Sequence, residues 1–247
     1  MTQTIKLSNR DIRPSVAIID ADVIVYRCGF ASEESSEAVC LARVTELVNS
    51  IVYTELRCDD YRAYITGRRN YRNDVAVTAP YKGNRKGATK PKHYVAIRKH
   101  LQRLGAELIE DQEADDAVAI DATASGGWIV SIDKDLDQVA GWHYNFVKHE
   151  EYYVTEEEGL LNFYTQILTG DRVDNIIGLH GIGPKKAEKL LKDCKTEREL
   201  YDACLKAYDG DELRVLENAN LLWLRRVQNQ TFQVPSILSD VSGASGS

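Results

Sequence analysis

Carboxylates recur in short clusters along this chain: Asp20 and Asp22 in "IDAD", Glu113, Asp115 and Asp116 in "EADD", Asp133, Asp135 and Asp137 in "SIDKDLD", and Asp171 and Asp174 in "GDRVD". Taken singly, each has an ordinary duty. Asp20 suits a helix cap, "EADD" a helix start favoured by the helix dipole, and "DKDLD" a polar loop. Brought together, they repel by about 4 kcal/mol for each pair about 4 Å apart at an effective dielectric of about 20. Hard divalent cations with oxygen ligands relieve that repulsion. Two such ions can activate a water and stabilise the leaving oxygen in phosphodiester cleavage. On a helix, Glu113 and Asp116 would share a face, as would Asp171 and Asp174. At an extended strand end, Asp133 and Asp135 would point the same way.

Features that attract phosphate lie beside these acids. "GLHGIGPKKAEKLL" reads as a hairpin between helices, in which Gly181 and Gly183 allow tight geometry and expose backbone N–H groups. Such groups and the following helix N-terminus bind phosphate oxygens without reading bases. Lys185 and Lys186 add charge nearby. In "PYKGNRKGATKPKHYVAIRKHL", Tyr81 is placed to stack on an unpaired base while Lys82 and Arg85 neutralise phosphates. The net charge of -7 hides this polarity. Basic residues crowd the stretch from Arg62 to Arg103, opposed by Asp74 alone, whereas acids dominate from Glu107 to Asp174. One region suits a polyanion's backbone and the other suits metal ions.

The elements that must position these groups alternate. Strands are predicted at 15–20, 61–66, 106–110, 128–133 and 143–147, with helices over 36–57, 91–104 and 113–124. This order predicts an α/β fold with a mainly parallel sheet, whose strand ends would carry Asp20 and Asp133. Past residue 154 the strand signal stops. Thr155 and Glu158 form a capping-box pattern opening a helix to about Thr169, and Gly183 with Pro184 fits an N-cap and first-turn proline. Further helix is predicted over 196–207 and 211–229. The expected domains are a nuclease-like core over 10–154, a helical subdomain over 155–236 and a disordered tail over 237–247.

With 247 residues the chain can bury a substantial core. Its five cysteines show no CxxC pair, so they are read as reduced thiols. The first residues lack the apolar segment of a signal peptide, and no apolar run is long enough to span a bilayer. The expectation is a soluble, monomeric, cytoplasmic protein with no membrane partner.

Together and in this order, the motifs resemble those of the 5′ nuclease superfamily: the flap endonucleases and, most closely, the bacteriophage 5′ to 3′ exonucleases. The resemblance runs from Val16 to Leu191. It implies a PIN-like α/β core with a helix-three-turn-helix element, a form of helix-hairpin-helix. It also implies cleavage of DNA or RNA–DNA near 5′ ends, flaps and duplex junctions, using two Mg²⁺ or Mn²⁺ ions. By that resemblance Asp20, Glu113, Asp115 and Asp116 form a first metal group, and Asp133, Asp135, Asp171 and Asp174 a second. Lys82 and Arg85, with Arg27, match cations that steer the scissile phosphate, and Tyr81 matches a stacking aromatic. The turn at Gly181 to Gly183 matches a duplex-binding hairpin that often holds K⁺. For a phage-encoded member the compartment is the host cytoplasm.

Two departures stand out. Relatives commonly have an aspartate after the strand "YRAYIT", where this chain has Gly67 and Arg68. The interval from Tyr81 to Glu113 is short for a full helical arch. The missing aspartate motivates an alternative, a DNA-structure-binding protein without turnover. A second alternative is a haloacid-dehalogenase-like phosphatase, since "VAIIDADVIV" has that family's strand and DxD form.

Overall fold

The computed structural model describes residues 12–85 and 87–236. The expected disordered tail over 237–247 lies outside the described residues. In chain order the elements are β1 (Val16–Asp20), α1 (Ala21–Phe30), α2 (Glu37–Asn49), β2 (Asp60–Thr66), α3 (Arg72–Val75), α4 (Tyr94–Arg103), β3 (Glu107–Ile109) and α5 (Ala114–Ser125). There follow β4 (Trp128–Val130), β5 (Gly141–Asn145), β6 (Glu150–Val154), α6 (Glu156–Thr169), β7 (Gly170–Asp171), β8 (Ile176–Ile177), α7 (Pro184–Leu191), α8 (Glu197–Ala207) and α9 (Glu212–Leu222). They divide into two compact units. Among the described residues, the first holds 12–70, Ala88–Glu156 and Leu224–Gln228; the second holds Tyr71–Gly87, Glu157–Trp223 and 229–236.

The core unit is the expected α/β fold. Its six strands lie in the order β3-β2-β1-β4-β5-β6, parallel from β3 to β5, with β6 antiparallel at the edge. Successive β1 side chains enter opposite faces of the sheet. Ala17 and Ile19 join Ile24 of α1, Val44 of α2 and Ile97 of α4, while Ile18 joins Val118, Ala119 and Ala122 of α5. Burial on both faces is why "VAII" reads as an unbroken apolar run rather than an alternating one. The parallel strands put the ends of β1, β2, β3 and β4 on one rim. Because β1 lies between β2 and β4, the strand order reverses beside it, the place where open α/β sheets form sites.

Several expectations are corrected here. The helix predicted over 36–57 ends as α2 at Asn49 and continues as a π-helical turn over Ser50–Glu55, whose Glu55 carboxylate accepts from Ser50 Oγ at 2.7 Å. Strand β6 lies outside the predicted strands: the adjacent Glu150 and Glu151 fall on opposite faces and are both exposed, so "EEYYV" shows no alternating apolar pattern, and the segment is ordered by pairing with β5 at the sheet edge. Helix α1, which is not among the predicted helices, follows β1 directly with Asp20 as its N-cap.

In the second unit, α6 supplies the centre of the core through Phe163, Tyr164, Ile167 and Leu168, packed with Ala187, Tyr201, Val215 and Ala219. Thus Tyr71–Gly87, expected within the nuclease-like core, folds with the helices. The helix predicted over 211–229 stops at Leu222. Arg72, only 1% exposed, donates from Nε to Leu221 O at 2.8 Å and from a terminal nitrogen to Trp223 O at 3.0 Å. A buried guanidinium on the last carbonyls ends the helix there. Among the described residues no helix is long and apolar enough to cross a membrane.

Candidate active site

On the core unit the carboxylates converge at the rim where β1 and β4 end. Asp20 is the last residue of β1 and caps α1, its Oδ1 accepting from Asp22 N at 3.1 Å. Ser131, just after β4, donates from Oγ to Asp20 Oδ2 at 3.1 Å and accepts from Asp133 N at 3.1 Å. One serine therefore ties the two strand ends and their acids together. Asp20 is 5% exposed. Burial first, then the charges of Asp22 and Asp133, push its carboxyl up to about 8. Asp22 is raised by burial too, opposed by hydrogen bonds from Thr66 and the Arg98 charge, with Glu113 adding repulsion. Asp20, Asp22, Glu113 and Asp133 thus form a chain of mutually felt charges. A buried oxygen donor set under such repulsion fits a hard divalent cation.

Helix α5 begins at this rim. Glu113, 8% exposed, is its N-cap residue, and Asp115 follows, partly exposed. Asp115 Oδ1 accepts from Asp116 N at 2.7 Å. Asp116, fully buried, accepts from Glu113 N at 3.3 Å and, through its other oxygen, from Arg225 N at 3.1 Å. Arg225 also donates to Gln112 Oε1 at 2.8 Å. The segment Leu224–Gln228 therefore fixes the start of α5, a duty for Asp116 that its motif does not reveal.

Asp133 and Asp135 do not share an extended strand end. Asp133 caps a 3-10 helix over Lys134–Gln138, and its Oδ1 accepts from Asp135 N at 3.0 Å. The local capping bond outcompetes continuation of β4. Asp137 turns away from the rim: Tyr152 Oη donates to its Oδ1 at 2.7 Å, and the buried His143 ring stacks on Tyr152 with centroids 5.1 Å apart.

The second unit carries the other predicted residues. Asp171 and Asp174 do not lie on a helix; Asp171 ends β7 and Asp174 lies in the turn that leads to β8. Asp171 Oδ1 accepts from Val173 N at 2.7 Å, an Asx turn that closes this hairpin. Gly170 and Gly178 make the approach possible: a Cβ on Gly178 would lie 2.3 Å from Gly170 N, and one on Gly170 would lie 2.3 Å from Gly178 N. Side-chain oxygens of Asp171 and Asp174 lie within 4.8 Å of one another.

The "YKGNR" segment is bolted to this hairpin. Lys82 N donates to Asp174 O at 2.8 Å, Asn84 Nδ2 to Arg172 O at 2.7 Å, and Arg85 Nε to Val173 O at 3.1 Å. Arg85 also pairs with Asp174 Oδ1 at 2.5 Å, and Lys82 Nζ with Oδ2 at 3.5 Å. The expectation for Tyr81 is corrected. It is 8% exposed within the apolar cluster of this unit, and its hydroxyl donates to Asp174 Oδ2 at 2.8 Å. A ring buried in that way is not an open platform for a base. In the turn ahead of α7, Gly183 is the N-cap and Pro184 the first helical residue, as expected. Lys185 is exposed beside it, and Lys186 Nζ donates to Gly181 O at 2.7 Å. Arg27 is exposed in the last turn of α1.

The departure at Gly67 has a steric cause. Gly67 N donates to Ile109 O at 2.6 Å, and a Cβ there would lie 2.5 Å from that oxygen and 2.6 Å from Glu110 Cδ. An aspartate at this position would force β2 and β3 apart. Asp22 reaches the same strand end instead, its Oδ2 accepting from Thr66 N at 3.1 Å and its Oδ1 pairing with Arg98 at 3.2 Å.

No family model matches the sequence. The chain is 26% identical over 234 residues to DNA polymerase I of Bacillus caldotenax, covering 82% of this chain and 26% of the polymerase. It is 32% identical over 126 residues to flap endonuclease Xni of Shewanella denitrificans, covering 44% of this chain and 49% of that protein. It therefore spans about a quarter of that polymerase and about half of that endonuclease. Its fold matches that of the bacteriophage T5 D15 flap endonuclease, solved as a pseudo-enzyme–product complex with DNA and metal ions. The TM-score is 0.61 at 17% identity, over 85% of this chain and 88% of that one.

Proposed function

We propose that this chain, which resembles the 5′ nuclease superfamily in sequence motifs and in fold, is a metal-dependent 5′ to 3′ exonuclease and flap endonuclease acting on DNA. The observation that carries this reading is the joining of Asp20, Asp22, Glu113 and Asp133 at the ends of β1 and β4, with Asp20 held up at about 8. Such repulsion persists in a fold when a cation relieves it. Mg²⁺ or Mn²⁺, when bound, supplies electrophilic activation of the phosphate and of the attacking water. Asp20, Glu113, Asp115 and Asp133 offer oxygens for it on the core unit, with Asp22 in place of the aspartate that Gly67 excludes. On the helical unit, Asp171 and Asp174 offer a carboxylate pair of their own.

The remaining residues bind and orient. Lys82 and Arg85 are held in place by Asp174 and trade that carboxylate for a phosphate oxygen, stabilising its charge. On the core unit, the exposed Arg27 is a further cation for a phosphate backbone. The turn at Gly181 to Gly183 and Lys185 take duplex phosphates without reading bases. RNA–DNA hybrids present similar phosphates and belong to the same substrate class. The protein is proposed to act as a monomer in the cytoplasm, the host's if phage-encoded.

Mass analysis of the products from a flapped duplex tests this reading. Mg²⁺ is expected to release fragments carrying the original 5′ end, with none released in EDTA. Tight flap binding without products in Mg²⁺ or Mn²⁺ would instead identify a binding protein, and digestion from the 3′ end would overturn the assignment.

A further inference from the structure

The K⁺ expected at the helix-three-turn-helix does not suit this turn. A monovalent ion held by backbone needs several carbonyl oxygens that replace its water. Here three of the turn's carbonyl oxygens have donors already. Leu179 O accepts from Ile182 N at 3.2 Å, and Gly183 O accepts from Lys186 N at 2.9 Å and from Ala187 N at 3.0 Å. The Gly181 carbonyl, at the tip, accepts from the ammonium of Lys186 at 2.7 Å. Lys186 is the third residue of α7, and helical side chains lean toward the N-terminus, which carries its ammonium back over the turn.

We propose that the Lys186 ammonium is the built-in monovalent cation of this turn and stands in for K⁺. It supplies the positive charge and a donor to the Gly181 carbonyl from within the chain, so the turn keeps its shape whichever monovalent salt is present. Lys185, next to it, is left as the lysine that faces a phosphate backbone. The inference draws on the 5′ nuclease reading only for expecting an ion here.

Its test reads the protein alone, so its failure stands apart from any failure of that reading. Wild-type chain and the Lys186→Met and Lys186→Arg variants would be melted in potassium chloride and in tetramethylammonium chloride of equal ionic strength. Thallium(I) NMR would probe ion binding directly. The wild type is expected to melt equally in both salts and to show no bound thallium. Lys186→Met is expected to melt lower in tetramethylammonium, to recover in potassium and to acquire a bound thallium signal, while Lys186→Arg behaves as the wild type. Potassium-specific stabilisation of the wild type, a bound thallium signal in it, or a Lys186→Met variant indistinguishable from it would each overturn the proposal.

Discussion

Asp115→Asn is expected to lower Mg²⁺-dependent cleavage of a flapped duplex by more than about 100-fold while leaving flap binding and the melting temperature unchanged. Groups that merely support a metal ligand already lose about 10- to 100-fold when removed, so loss of a ligand's own charge sets a larger effect. Asparagine keeps the shape of Asp115 and an oxygen for the Asp116 N–H, which it now bonds at 2.7 Å. Removing a negative charge near a polyanion does not weaken its binding. Single-turnover rates at saturating enzyme separate the two effects. A rate near that of the wild type would show that Asp115 has no part in the chemistry.

Asp116→Ala is expected to act on stability instead. Its carboxylate is fully buried and takes the main-chain N–H groups of Glu113 and Arg225. It also sits near Arg226, whose guanidinium is pulled down to about 10 by burial and supported by the Asp116 charge. Each buried donor left unpaired costs about 1–3 kcal/mol, so unfolding in urea is expected to show a loss of about 2–6 kcal/mol for the two. Asp116→Asn, which keeps one acceptor, is expected to fall between. Unchanged stability together with lost metal-dependent turnover would reverse the roles given to Asp115 and Asp116.

The contrast between these neighbours marks how far the sequence is legible. Asp20 and Asp133 can be found from strand ends alone, because an apolar run buried on both faces must finish at a rim. The parallel order then puts β1 beside β4. The helix starts at Glu113, Gly183 and Thr196 follow from local capping chemistry, which a few adjacent residues decide. What stays hidden depends on partners far along the chain. Nothing near Tyr81 announces that its hydroxyl will meet Asp174, and nothing near Asp116 announces Arg225. The basic stretch misleads for the same reason. Arg62 is spent on Asp121, Arg72 on the end of α9, Arg85 on Asp174 and Arg98 on Asp22, so less of it is open surface than the run of charges suggests. Gly67, Gly170 and Gly178 carry a signal of their own: each lies where a Cβ would meet backbone.

The most direct test of the carboxylate cluster is calorimetric titration of EDTA-treated protein with Mn²⁺ at neutral pH, in buffers of different ionisation enthalpy. Burial and the charges of Asp22 and Asp133 hold Asp20 at about 8, so below that pH it is mostly protonated and an arriving cation displaces the proton. The account predicts saturable binding with release of close to a full proton, a release that fades as the pH rises past about 8 and is abolished in Asp20→Asn. Absence of saturable binding, or binding that releases no proton and is indifferent to Asp20→Asn, would contradict it.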